Sequence, residues 1–133
     1  MLCSVFSSVL HGVEAMIINV EADISTGLPS FDMVGCLGSG VREAKERVRT
    51  AIRNSGYVIP PSRITINISP ADVRKEGGGY DLSIAVALLG AIGIVPKESL
   101  KDTLFLGELS LNGEIRPVKG VLPVTVKAQE SGI

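Results

Sequence analysis

RITINISPADVRKEGGGYDLSIAVALL, residues 63–89, places two different periods one after the other. From Arg63 to Ser69, Ile64, Ile66 and Ile68 alternate with polar residues, the twofold repeat of a half-buried strand. From Leu82 to about Ile92 the chain is apolar on every side, which predicts a helix lying inside, covered by sheet and by other elements. Between the two stand Lys75, Glu76 and the glycines Gly77, Gly78 and Gly79. Glycines ahead of a helix mark a place where something comes close to the backbone, either an anion or a reacting group. Asp81 is the one charge at the start of that helix, and it suits an N-cap that accepts amide hydrogen bonds and meets the positive end of the dipole. The glycines then let the loop fold back on the helix terminus, a structural role that needs no ligand.

Working outward, Ile18, Val20, Ala22 and Ile24 alternate with Asn19, Glu21 and Asp23 as a second strand. Asn112-Gly113, framed by Leu109, Leu111 and Ile115, predicts a hairpin with a two-residue turn, because both turn residues tolerate positive φ. Val41, Ala44, Val48, Ala51 and Ile52 recur at helical spacing between Ser39-Gly40 and Asn54-Ser55-Gly56, predicting one amphipathic helix. A third helix is predicted from Pro123 to Ser131. This order of elements predicts an α+β fold with a mixed sheet and two to three helices, not regular βαβ winding. The 133 residues read as a single domain. The closing KAQESGI brings a helix to a glycine cap where another strand would be natural, which predicts that a longer protein continues beyond it.

The composition narrows the function. With 45% apolar residues but no Trp, three Phe and two Tyr, the core is built from Val, Ile, Leu and Ala, and there is no aromatic platform for stacking bases. Thirteen basic against fourteen acidic residues give a net charge of -1, so no global field draws in nucleic acid or anionic membrane. Two cysteines, Cys3 and Cys36, and one histidine, His11, cannot make a four-ligand zinc site, and they are assigned no role. The longest uncharged apolar run, residues 82–95, falls short of the roughly 20 residues a spanning helix needs. Glu14 and the serines Ser4, Ser7 and Ser8 interrupt any signal-peptide pattern. These features predict a soluble, cytoplasmic protein with no membrane partner.

No GxxxxGK[ST] or GxGxxG segment is present, so nucleotide binding is not expected within these residues. The strongest binding signal is on the first helix, where Arg42, Lys45, Arg49 and Arg53 project within about 80° of one another. Such a stripe could cross a DNA backbone, each phosphate contact adding salt-dependent affinity without sequence choice. Glu46 lies on the same side and weakens it, and a merely solvated helix face is the competing reading. Arg74 and Lys75, just before the glycines, would extend the patch if the fold brought them near.

Three segments carry a family resemblance: ADISTGLPSFDMVG, RITINISPADVRKEGGGYDLSIA and GELSLNGEIRPVKGVLP. They resemble the N-terminal domain of the ComM/YifB proteins, the magnesium-chelatase-like AAA+ ATPases, over nearly the whole chain. The resemblance implies a Lon-protease-like domain of the ribosomal-protein-S5-domain-2-like fold. It further implies a downstream AAA+ module that would bind ATP and Mg²⁺, a hexameric assembly, and a role in DNA branch migration during natural transformation. Where the family usually reads GLPDxAVxES, this chain reads CLGSGVREA, with Gly38 and Ser39 replacing Pro and Asp. The chelatase label is taken as ancestry, since no cluster of convergent carboxylates is seen.

Lon peptidases pair a serine with a lysine of lowered pKa, and neither works without the other nearby. The resemblance places the serine at Gly79 and the lysine at Leu122, and neither residue can do the chemistry. Ser83 would stand about 5 to 6 Å further along the helix. The expectation is a non-catalytic pseudo-peptidase domain that aids oligomer assembly or DNA engagement. The alternatives are a Lon-type Ser-Lys peptidase using Ser83 and Lys119, and a pure scaffold for the ATPase ring.

Overall fold

Four strands, β1 (Leu2–His11), β2 (Glu14–Ser25), β3 (Ser30–Val34) and β4 (Arg63–Ser69), form one mixed sheet in the computed structural model, which describes residues 1–133. Their order is β1-β2-β4-β3, antiparallel except where β3 runs parallel to β4. The period-two pattern fixes the register. Cys3, Val5 and Ser7 lie opposite Ala22, Val20 and Ile18, and these face Ile66 and Ile68 of β4. Phe31 and Met33 of β3 complete the layer against Ile64 and Ile66. A slip of one residue would turn this whole apolar layer to solvent.

The first helix winds as two segments, α1 (Ser39–Arg42) and α2 (Ala44–Asn54), where the sequence predicted one. At Glu43 the winding tightens, because the Glu46 amide reaches the Glu43 carbonyl three residues back. Val41, Ala44, Val48, Ala51 and Ile52 all point into the core, as the spacing predicted. The second helix, α3 (Asp81–Ile92), is the inner one: Ile84, Ala87 and Leu88 are completely buried between the sheet and α2. The last helix, α4 (Val121–Glu130), starts two residues before Pro123. Proline is tolerated in that first turn because its missing N–H would have had no partner inside the helix. The architecture is the α+β fold with a mixed sheet that the sequence predicted.

The hairpin at Asn112-Gly113 forms, with β5 (Glu108–Leu109) paired to β6 (Ile115–Arg116), but its turn is wider than predicted. Only Gly113 has positive φ, at 91°. The Ser110 amide donates to Glu114 O at 3.0 Å, leaving Leu111, Asn112 and Gly113 as a three-residue loop. Asn112 contributes through its side chain, whose Oδ1 accepts the Glu114 amide at 3.1 Å. No helix is long and apolar enough to cross a membrane.

Candidate functional site

Two surfaces carry the residues singled out in the sequence: the outer side of α1 and α2, and a cleft beside the glycine loop. On the first, Arg42, Arg49 and Arg53 are exposed and Lys45 is half-buried. None of these four cations is paired with a carboxylate, and Glu46 forms no ion pair with them. The Arg49 guanidinium lies over the Phe31 ring, 5.9 Å from its centroid, which holds the charge against β3 without neutralising it. Lys45 and Arg49 also line a shallow hollow of about 440 Å³ with Phe31 and Ser62.

Lys75 does not extend the stripe. It is completely buried, and its ammonium donates to the carbonyls of Ile68, at 2.8 Å, and Pro70. Backbone pairing draws it in, since the Lys75 amide donates to Cys36 O and the Gly38 amide donates to Lys75 O, both at 2.8 Å. Burial pushes the Lys75 ammonium below its usual pKa. Arg74 is exposed and lies beside Gly38, one turn from Arg42, but its charge is paired with Glu76 at 2.6 Å.

Asp81 differs from the predicted cap. The capping position is Tyr80, and no side chain caps α3. The fully buried Asp81 carboxylate instead accepts Arg47 Nε at 2.6 Å, Arg47 Nη2 at 3.1 Å and the Leu109 amide at 3.1 Å. Arg47 also donates to Gly40 O at 2.9 Å, so one guanidinium ties α1, α2, α3 and, through Asp81, β5. Sequence reasoning overlooked Arg47. The signal was Asp81 itself, an acid at the head of an apolar helix that needs a cation once buried.

The glycines make close packing possible. A Cβ on Gly40 would stand 3.3 Å from Gly77 Cα, and one on Gly78 would stand 2.9 Å from the Glu108 carboxyl carbon. Gly79 is different, because a Cβ there would be in ordinary contact, 3.6 Å from Val118 Cγ1. Gly77, Gly78 and Gly79 line a cleft of about 670 Å³ together with Ser8, Tyr80 and Lys119.

Leu122 is 74% exposed and lines a separate hollow with Leu10 and Val13, so the structure does not bring it to the cleft of Gly79. Ser83 is completely buried, and its hydroxyl donates to Tyr80 O at 2.8 Å. Lys119 reaches the cleft but Ser83 does not line it. No three His, Cys, Asp or Glu side chains converge as a set of metal ligands.

Comparison with known proteins adds the family. The model described as subunit ChlI of Mg-chelatase matches residues 20–133. The competence protein ComM of Haemophilus influenzae is 42% identical over 130 residues, 98% of this chain and 26% of that protein. The uncharacterised protein YifB of Escherichia coli is 49% identical over 121 residues, 91% of this chain and 24% of its own length. Lon protease 2 of Bacillus subtilis is 28% identical over 114 residues, 80% of this chain and 20% of that enzyme. The chain thus spans about a quarter of the length of the ComM and YifB relatives.

Proposed function

Because the chain belongs to the magnesium-chelatase-like family that includes ComM and YifB, we propose that it serves as a non-catalytic N-terminal domain of a DNA-processing AAA+ ATPase, engaging DNA through α1 and α2. In this reading ATP and Mg²⁺ are handled by a downstream module, the working assembly is a hexamer, and the activity served is branch migration during natural transformation. The observation that carries it is the unpaired state of Arg42, Lys45, Arg49 and Arg53, while the neighbouring Arg47 and Arg74 are neutralised by carboxylates. Cations left without partners along one helix retain their charge for phosphates, and such contacts fix a protein on the duplex without reading its sequence. The non-catalytic part of the proposal is supported by Gly79, Leu122 and the tethered Ser83, none of which offers a nucleophile or base at the cleft.

The test is anisotropy of a fluorescein-labelled duplex of about 30 base pairs across a salt series, since each lost phosphate contact reduces the slope of log affinity against log salt by about 0.9. Replacing Arg42, Lys45, Arg49 and Arg53 together with Glu should abolish most of the binding and flatten that slope. Equal binding by parent and variant, or none by the parent, would remove the DNA role and leave a scaffold for the ATPase ring.

A further inference from the structure

We propose that the hollow between α2 and residues 59–62, just before β4, binds a nucleoside 5′-monophosphate unit, with its phosphate on Lys45 and Arg49 and its base against Ile59, Pro60 and Pro61. Lys45 and Arg49 stand four residues apart on one face of α2, and like charges at that spacing repel. Neither is paired with a carboxylate that would relieve the repulsion. A terminal phosphate carries about -1.5 to -2 charges at neutral pH, enough to answer both cations at once. The hollow holds about 440 Å³, within the usual range for a small-molecule site, and no carboxylate is among the residues that line it. The cation-bearing hollows at the glycine loop, at Arg63 and beside α4 each include at least one. Asp32, the acid next to Phe31 on β3, alternates to the opposite side of that strand and lines the hollow of Arg63. Glu46, the acid next to Lys45 on α2, does not line the site.

The walls are held in place before any ligand arrives. Arg49 rests on the Phe31 ring, 5.9 Å from its centroid. The Ser62 hydroxyl donates to Pro60 O at 2.8 Å, and the Ser30 amide donates to Ser62 O at 3.2 Å, which ties the proline turn to β3. Pro60 and Pro61 fix their own φ, so the surface they present is rigid and little ordering is lost in using it. Phosphate alone gains nothing from that apolar side, whereas a flat ring attached to it does. The two prolines have no amide and the Ser30 amide is taken, so a phosphopeptide finds few main-chain partners there. Half-buried Ser30 adds a hydroxyl for a sugar or phosphate oxygen. No linear motif records the site, because α2, β3 and residues 59–62 meet only in the fold. A 5′-monophosphate occurs free or at the end of a DNA strand, and its chemistry in the hollow is the same from either source. The site does not depend on duplex binding, since it needs Lys45 and Arg49 but neither Arg42 nor Arg53.

The probe is dAMP, titrated into the 133-residue protein by calorimetry and followed by NMR. Saturable binding is expected, with shifts at Phe31 and Ile59, while deoxyadenosine and inorganic phosphate should each bind at least about tenfold more weakly. Lys45→Gln removes one charged contact and should weaken dAMP about tenfold. Pro60→Glu, at an exposed position, brings a carboxylate to the hollow and should do the same, with thermal melts showing that both variants fold. Arg53→Gln lies outside the hollow and should leave dAMP affinity unchanged while reducing the salt slope of duplex binding, so the DNA reading and this one fail separately. A short deoxyadenosine strand that binds with a 5′-phosphate and not with a 5′-hydroxyl places the site at strand ends; binding of dAMP alone makes the ligand a free nucleotide. Absence of dAMP binding, equal affinity for inorganic phosphate or for the 5′-hydroxyl strand, tighter binding of a phosphoserine peptide, shifts confined to residues 77–79, or full affinity in both hollow variants would overturn the proposal.

Discussion

Arg47 Nε donates to Asp81 Oδ2 at 2.6 Å while Arg47 Nη2 donates to Oδ1 at 3.1 Å, a two-pronged bond between helices 34 residues apart in sequence. The carboxylate is fully buried while the guanidinium is 20% exposed and also pairs with Glu43 at 3.4 Å, so the carboxylate alone has no water to fall back on. Removing the guanidinium leaves the carboxylate stranded in the interior, which costs about 3–5 kcal/mol in comparable buried pairs. Arg47→Ala should lower stability by that amount in urea unfolding, and Asp81→Ala by less, because Arg47 keeps Glu43 and solvent. The double replacement Arg47→Met with Asp81→Leu should recover much of the loss, because the desolvation cost then disappears from both sides.

Lys75 and the stripe on α2 should separate in the same assays. Lys75→Ala removes a buried stem and two hydrogen bonds, and a loss of about 2–4 kcal/mol is expected from the cavity and the unpaired carbonyls. Duplex DNA affinity should not change once the variant is folded. Arg49→Ala should behave in the opposite way, changing stability by less than about 1 kcal/mol and reducing the salt slope of DNA binding.

The contrast between those lysine and arginine residues shows where the sequence was legible. Ile64, Ile66 and Ile68 announced their strand because burial on one face leaves a period that survives in one dimension. The apolar run after Asp81 announced its helix for the same reason. Lys75 announced nothing, since its letter is the same whether its ammonium meets water or two carbonyls; the bridge of Leu37 to Lys75 decided the matter, and that is a tertiary contact. Asn112-Gly113 marked the right turn but the wrong width, because asparagine can bend a chain through its side chain as well as its backbone. The β1 edge was invisible for a further reason: which strand lies outermost depends on the order of the whole sheet.

Tyr80 predicts an alkaline transition. Burial pushes its hydroxyl from 10.0 up to about 12, so the unfolded chain releases that proton first. Its contribution to stability is complete below pH 10.0 and is lost as pH rises to about 12. In a Tyr57→Phe background, phenolate absorbance should develop near that upper value. The stability lost between those limits should be smaller when Tyr80→Phe is added; an identical loss would assign the transition to other groups.

Gly90 tests the fit of the inner helix against β1. A Cβ there would stand 2.5 Å from Cys3 Sγ and 3.1 Å from Leu100 Cδ1. Alanine favours a helix by about 1 kcal/mol over glycine, but overpacking a closed core costs about 1–3 kcal/mol, so Gly90→Ala should be net destabilising. Adding Cys3→Ala should relieve part of the strain, giving thermal melts in which the two changes are less harmful together than their sum.

Gly79 also bears on what chemistry could be built into its cleft. Its backbone has ordinary φ and a Cβ there would sit in ordinary contact with Val118 and Leu106, so the first carbon of a serine could be placed without displacing either. A partner base is a harder addition, because Leu122 looks into a different hollow and Lys119 is the cation that borders this one. Building a Ser-Lys pair into this cleft would therefore take more than two substitutions. The loop after Arg116 would have to be rerouted, which puts such a pair beyond the reach of single substitutions.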